Sequence, residues 1–174
     1  HRLEGRREHE VLLLPEGVRE VRKGAADVTG IGRKEKAGGG GSTGKGPEEM
    51  TGEQRIQAIG ASPFARLLGM EIVEARPGWA KVVMEATGKE NFLGVAHGGA
   101  VFALADQAFA AAANRGEDLQ VAVSVHIHYL SPAKGRLEAV ARLVAETKRT
   151  SHILVEVKSG ERLVATFEGG AYKA

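Results

Sequence analysis

Cysteine is absent from all 174 residues. That excludes disulfides, thiolate metal sites and a cysteine nucleophile, and it fits a reducing cytoplasm. Aromatic residues make up only 5%, too few for base-stacking platforms. The formal net charge is +2, and no basic cluster is interleaved with aromatics, so nucleic acid is not an expected partner. Long hydrophobic runs are missing as well. The longest early one, Val11–Leu14, stops at Pro15, whereas a secretory leader needs about 7–15 apolar residues and a membrane span about 20. The expectation is a soluble cytoplasmic protein with no membrane partner.

What is present divides into two parts. Residues 1–49 carry mixed charge and much glycine: Arg2, Arg6 and Arg7 beside Glu4, Glu8 and Glu10, then Arg33–Lys36 and Gly38–Gly41. Such composition cannot bury enough apolar surface to offset its ordering entropy, so disorder is expected there, apart from a short helix or strand around Val11–Leu14. Met50 directly precedes the first patterned segment. It is a candidate native start, with the preceding residues an upstream extension; N-terminal sequencing of the natively expressed protein tests this.

Residues 50–174 read as one α+β domain. Ile56, Ile59, Phe64, Leu67 and Leu68 recur at helical spacing, with Ser62-Pro63 able to start a new turn. Two extended runs, Glu71–Arg76 and Trp79–Ala86, flank Pro77-Gly78 and predict a hairpin. Gly98–Asn114 is apolar on nearly every face, which predicts a buried helix. Its length of about 25 Å, with Asp106 and Gln107 in its middle, argues against lipid. Further extended runs follow at 119–130, 136–147, 151–158 and 161–172, the last two joined by Ser159-Gly160. A single apolar helix among five or six antiparallel strands calls for a curved sheet wrapped around it.

Within this pattern Asp106 stands out. Its helical neighbours are Phe102, Ala103, Phe109 and Ala110. A carboxylate in such company loses hydration, and its pKa rises toward the range useful to a general base. His97-Gly98-Gly99 stands where the helix starts, and the first-turn N–H groups there can bind an anion or oxyanion. Gly98 and Asp106 are eight residues apart, about 12 Å of helical rise. Reacting groups should lie about 3 Å from one centre, so one helix cannot supply both to one substrate. If both act, Asp106 must come from a second subunit, and a two-fold dimer builds the site twice. His126 and His128 share a strand face with Ser124. Two imidazoles at that spacing can bind a metal, but no third ligand is evident nearby in sequence, and a polar sheet face or subunit interface is the expected role.

The run Asn91 to Gly99 followed by Leu104-Ala105-Asp106 resembles the signature of hotdog-fold acyl-CoA thioesterases, and the phenylacetate-degradation (PaaI) branch in particular. Val123–Val125 and Tyr129–Pro132 resemble that family's third strand and its end. The resemblance covers roughly residues 50–174. It implies a hotdog fold and hydrolysis of acyl-CoA or aryl-acyl-CoA thioesters, with no metal or tightly held cofactor. It further implies that the Gly98 N–H, with that of Gly99, polarises the thioester carbonyl. Asp106 of the partner subunit acts as general base or as nucleophile, Asn91 and Ser124 handle the attacking water, and His97 positions the loop. Lys148, Arg149, Thr150 and Ser151, with Lys134 and Arg136, are candidates for the coenzyme A end of the substrate. The assembly is expected to be a homodimer or a dimer of dimers. Two rivals stand beside this reading: a non-catalytic acyl-CoA-binding hotdog module, and an enoyl-CoA hydratase. The latter should want its Asp/His pair at the helix start, whereas Asp106 lies two turns in.

Overall fold

The computed structural model describes residues 46–174. The disorder expected for residues 1–49, and the element expected around Val11–Leu14, fall outside it except at residues 46–49. There Pro47–Glu49 forms a single 3-10 turn rather than unstructured chain.

The helical spacing from Ile56 to Leu68 is realised as two helices, divided at Ser62-Pro63, where the sequence allows a new turn. α1 spans Gly52–Gly60 and starts on a capping box between Thr51 and Gln54. α2 spans Pro63–Leu68. The break falls where Ser62 leaves helical geometry to cap Ala65 N, with Pro63 behind it supplying a fixed φ but no N–H. β1 (Glu71–Arg76) and β2 (Trp79–Glu85) form the expected hairpin. Its turn places Gly78 at φ 75°, a conformation open to glycine at no cost.

α3 runs Gly98–Asn114, followed by β3 (Gln120–Tyr129), β4 (Arg136–Glu146), β5 (Thr150–Ser159) and β6 (Arg162–Lys173). The six strands form one antiparallel sheet in the order β1-β2-β4-β5-β6-β3. α3 packs against all of them. Its alanines at Ala100, Ala105, Ala108, Ala111 and Ala112 are buried and let the helix approach the sheet closely. The facing layer alternates along each strand: Leu137, Ala139 and Ala141 on β4, Ile153, Val155 and Val157 on β5, Ala165, Phe167 and Ala171 on β6. Phe109 and Phe102 both close on Phe167, with ring centroids 5.9 and 5.4 Å away.

α3 ends without a glycine cap, since Arg115 stays in right-handed geometry. Side chains serve its last carbonyls instead. Arg55 of α1 is 3% exposed and donates to Asn114 O (3.0 Å), Met50 O (2.7 Å), Gly116 O (2.6 Å) and Glu117 O (2.9 Å). Gln120 donates to Ala113 O, and Asn114 to Ala110 O. Among the described residues, no helix is long and apolar enough to cross a membrane.

β3 differs from the other late strands. Among the described residues it pairs with β6 alone and its other edge is open, and most of its residues are exposed. It runs antiparallel to α3. Gln120 bonds to the helix end at Asn114, while Tyr129 reaches its start.

Candidate active site

His97 is the N-cap of α3, extended at φ −60° and ψ 135°. Its Nδ1 accepts the Gly99 N–H at 2.9 Å. The Ala100 and Val101 amides bond back to His97 O. That leaves the Gly98 N–H, which has no acceptor among the described residues. The motif suggests Gly99 as a second donor beside Gly98; the imidazole claims the Gly99 N–H, so Gly98 alone offers an unspent hydrogen bond.

Gly98 opens on a cavity of about 340 Å³ that Asn91, Val101, Tyr129, Ala133 and Val164 help to line. Asn91 organises the loop beside it. Its Oδ1 accepts from Leu93 N (2.9 Å) and Val95 N (3.4 Å), and its backbone N–H donates to Val95 O. With Oδ1 so engaged, its amide NH2 is the group left for a ligand. Tyr129 carried no functional expectation from sequence. Its hydroxyl donates to Gly98 O at 3.0 Å, and its ring lies 3.3 Å from where a Cβ on Gly98 would sit. The end of β3 thereby holds the start of α3 in place. Burial raises the Tyr129 pKa above its ordinary value. His97 and Gly99 face the other side of the helix start, onto a second cavity with Phe64, Leu68, Lys89 and Glu90.

Asp106 lies two turns further along α3, half-buried, with no hydrogen-bond or ion-pair partner among the described residues. Loss of hydration pushes its carboxyl above the ordinary value of 3.8. The helical rise keeps it about 12 Å from Gly98 of the same chain.

Ser124 is not brought to this site. Val125 packs beside Gly169 and Phe109, Ile127 borders the core, and Tyr129 reaches Gly98, so these residues face α3. Ser124, His126 and His128 alternate with them and face away. A bulge between Ala122 and Ser124 sets this phase, making Ala122 the last helix-facing residue before the irregularity.

Of the coenzyme A candidates, Lys148, Arg149, Thr150 and Ser151 sit at the opposite end of the sheet from Gly98 of their own chain, whereas Lys134 and Arg136 sit at the Gly98 end, beside Ala133 of the cavity wall. Lys148, Arg149 and Thr150 are exposed in the β4–β5 turn, where Thr147 Oγ1 accepts from Arg149 N and Thr150 N. Ser151 is 2% exposed, its Oγ without a partner in the chain, so it cannot meet a solvent-borne phosphate directly. Lys134 and Arg136 are exposed near the start of β4.

Comparison with known proteins adds to this geometry. Residues 93–166 match the thioesterase superfamily. The acyl-coenzyme A thioesterase PaaI of Escherichia coli K12 is 34% identical over 113 residues, which cover 63% of this chain and 81% of that protein. The solved E. coli PaaI protein, from the phenylacetic acid degradation operon, superposes with a TM-score of 0.67 at 30% identity, covering 71% of this chain and 93% of that one. A mutant structure of the phenylacetic acid degradation protein PaaI from Thermus thermophilus superposes with a TM-score of 0.62 at 38% identity, covering 65% of this chain and all of that one (100%). With its curved six-stranded sheet and single long helix, the chain belongs to the thioesterase superfamily, in the PaaI-type branch of the hotdog fold.

Proposed function

We propose that this protein hydrolyses acyl-CoA thioesters to free acid and coenzyme A, at a site shared between two copies of the chain. The observation that carries the reading is the unspent Gly98 N–H at the start of α3, opening on a cavity beside Asn91. A thioester carbonyl oxygen placed there meets an N–H donor and the positive end of the helix dipole. One such donor lowers a barrier by about 3–4 kcal/mol as charge develops on the oxygen.

The second group is Asp106 of the partner subunit. The open edge of β3 supports the pairing: among the described residues it is one of the two edge strands of the sheet, the other being β1, and it is the one that runs alongside α3 from Gly98 to Asn114, with Val121, Val123 and Val125 exposed along it. Antiparallel pairing of two β3 edges also runs the two α3 helices in opposite directions. Each Gly98 is then carried toward the other chain's Asp106, and each β4–β5 turn, with Lys148, Arg149 and Thr150, toward the other chain's cavity. The desolvated carboxylate takes a proton from water as the water attacks the carbonyl carbon, or it attacks first and forms an anhydride that water opens. The C–S bond breaks, and the thiolate of coenzyme A leaves and is protonated. Asn91 orients the water or the thioester through its amide NH2. His97 shapes the helix start, and Lys148 and Arg149 meet the phosphates. These steps need no metal or bound organic cofactor.

Thiol release from phenylacetyl-CoA and medium-chain acyl-CoAs tests the activity. Asp106→Ala should abolish release while leaving the fold intact; full activity in that variant would remove Asp106 from the mechanism. Gly98→Pro deletes the N–H at a position where a helix tolerates proline. Mixing it with Asp106→Ala should regenerate some activity in heterodimers, and no recovery under confirmed subunit exchange would count against a shared site.

A further inference from the structure

The face of the sheet turned away from α3 carries a group that the thioesterase chemistry does not use. His126 and His128 stand two residues apart on β3 with ring centroids 4.3 Å apart. Nδ1 of His126 lies 3.8 Å from Glu168 Oε1, and the other oxygen of that carboxylate is 3.9 Å from His152 Nε2. Glu168 is on β6, so it backs His126 from the side away from the open edge. Within one chain this is only a pair of imidazoles. Among the described residues, no group of three or more His, Asp or Glu could hold a metal ion.

A second copy changes that, and the shared-site reading, on which this inference rests, fixes where it lies. A two-fold axis that exchanges Gly98 and Asp106 between two helices passes α3 midway between them, at Phe102. β3 meets α3 at both ends, Tyr129 at Gly98 and Gln120 at Asn114, and a point a quarter of the way along the helix from Gly98, at Phe102, falls at the level of Ile127; Phe102 accordingly packs on Phe167, which is in register with Ile127. The axis therefore meets the β3 edge at the level of Ile127. Residues directly opposite in an antiparallel pair point to the same face of the sheet. About an axis at Ile127, His126 stands opposite the partner's His128, and His128 opposite the partner's His126. Slipping the register by a single residue would set helix-facing positions against outward ones, so it is excluded by the continuity of the core face.

We propose that the dimer axis carries a four-imidazole site for a divalent transition-metal ion, Zn2+ as the test case, built from His126 and His128 of both copies. Directly opposite Cβ atoms lie about 4.5–5.5 Å apart, and alternate residues of one strand about 6.6 Å apart. Four imidazoles on such a rectangle can turn inward to a common centre at Zn–N distances of about 2.0–2.1 Å. Imidazole ligands suit Zn2+, Cu2+ and Ni2+. Glu168 stands 3.8 Å from His126 Nδ1, just beyond hydrogen-bond reach; a small ring rotation as the ion binds would let it accept the Nδ1–H and leave Nε2 for the ion, the carboxylate–histidine–metal arrangement that fixes ring orientation and basicity. One such glutamate from each copy offsets the two positive charges. The role is to clamp the two β3 edges together, not to take part in hydrolysis.

The test uses the full chain, stripped with EDTA, with mass from light scattering and Zn2+ binding from calorimetry. Co2+ in place of Zn2+ gives the coordination geometry from its visible bands. The expected result is a dimer that binds one Zn2+ per two chains and melts higher when loaded. His126→Ala with His128→Ala should weaken binding at least 100-fold while thiol release is retained. Glu168→Gln should weaken it about 10–100-fold, which a surface histidine pair with no built support would not show. A thiol-releasing dimer that binds no Zn2+, binds one per chain, or binds it equally after the double substitution overturns the metal site and leaves the shared active site standing. A chain that stays monomeric at every concentration overturns both.

Discussion

Replacing Arg55 should test how this fold terminates its central helix. The guanidinium donates four hydrogen bonds of 2.6–3.0 Å, all to backbone carbonyls, and among the described residues no carboxylate stands against it. Three of the four acceptors, Asn114, Gly116 and Glu117, lie at or just past the end of α3, where carbonyls have no helical partner and the dipole is negative. Arg55→Met keeps much of the volume and removes every donor. Hydrogen bonds from a charged donor contribute about 1.5–3 kcal/mol each, but the four do not add. Three of them are only partly buried, so water can replace part of what is lost. Methionine also escapes the cost of burying a charge. What remains is carbonyls without a donor, each costing about 1–3 kcal/mol where water cannot reach it, so a net loss of about 3 kcal/mol is expected. A loss of about 3 kcal/mol corresponds to a fall in Tm on the order of 10 °C for a domain of this size. Arg55→Lys keeps the charge but one ammonium cannot span the acceptors, and it should lose about half as much. Urea denaturation followed by circular dichroism, at one protein concentration, measures both. An Arg55→Met midpoint within about 1 kcal/mol of the parent would refute the reasoning, because the carbonyls would then be served equally well by water.

Two further outcomes follow from geometry already described. Asp106 has a raised carboxyl pKa through desolvation, so the folded state disfavours its charged form. The associated stability is fully present below the unfolded value, falls as pH rises toward the folded value, and is absent above it. Asp106→Asn should therefore melt higher than the parent at pH 7–8, with the gap closing near pH 4, while losing thiol release; equal gaps at both pH values would contradict the desolvation account. Gly169 lies against α3, and a Cβ there would fall 2.7 Å from Phe109 Cε2 and 3.1 Å from Val125 Cγ1. Gly169→Ala should destabilise by about 1–3 kcal/mol through overpacking, read from the same urea curves.

The elements that sequence exposes here are those whose signal is local. Pro77-Gly78 marks the first hairpin because the turn needs a fixed φ and then a positive one. Gly98–Asn114 is legible because a helix apolar all round has only one place to go. The separation of Gly98 from Asp106 follows from helical rise alone, and with it the need for a second subunit in the proposed mechanism. Other features depend on distant partners. The placing of β3 beside β6 at the sheet edge is a long-range pairing that no local pattern encodes. Strict alternation groups Ser124 with the two histidines, but the bulge at Val123 decides which alternate set faces the helix. The Gly99 N–H is withdrawn by the rotamer of His97, a side-chain choice invisible in the motif itself. Arg55 looks like any surface arginine of a short helix until the end of α3 is set beside it. Gly52 shows the same limit: a Cβ there would overlap the carbonyl of Arg115, so the close approach of the two segments requires glycine.

The open edge of β3 has a consequence for the life of the protein outside its catalytic state. It presents unpaired backbone groups with Val121, Val123 and Val125 exposed beside them, and it carries no lysine or proline to repel a chance partner. In the proposed dimer two such edges cover each other, so a newly made or diluted chain would hold a sticky template until it finds a mate. Because pairing stabilises only the folded form, its resistance to unfolding should rise with its own concentration. Expression level then becomes a folding variable: too little leaves the edge uncovered, and partly folded chains in excess compete to cover it in the wrong register.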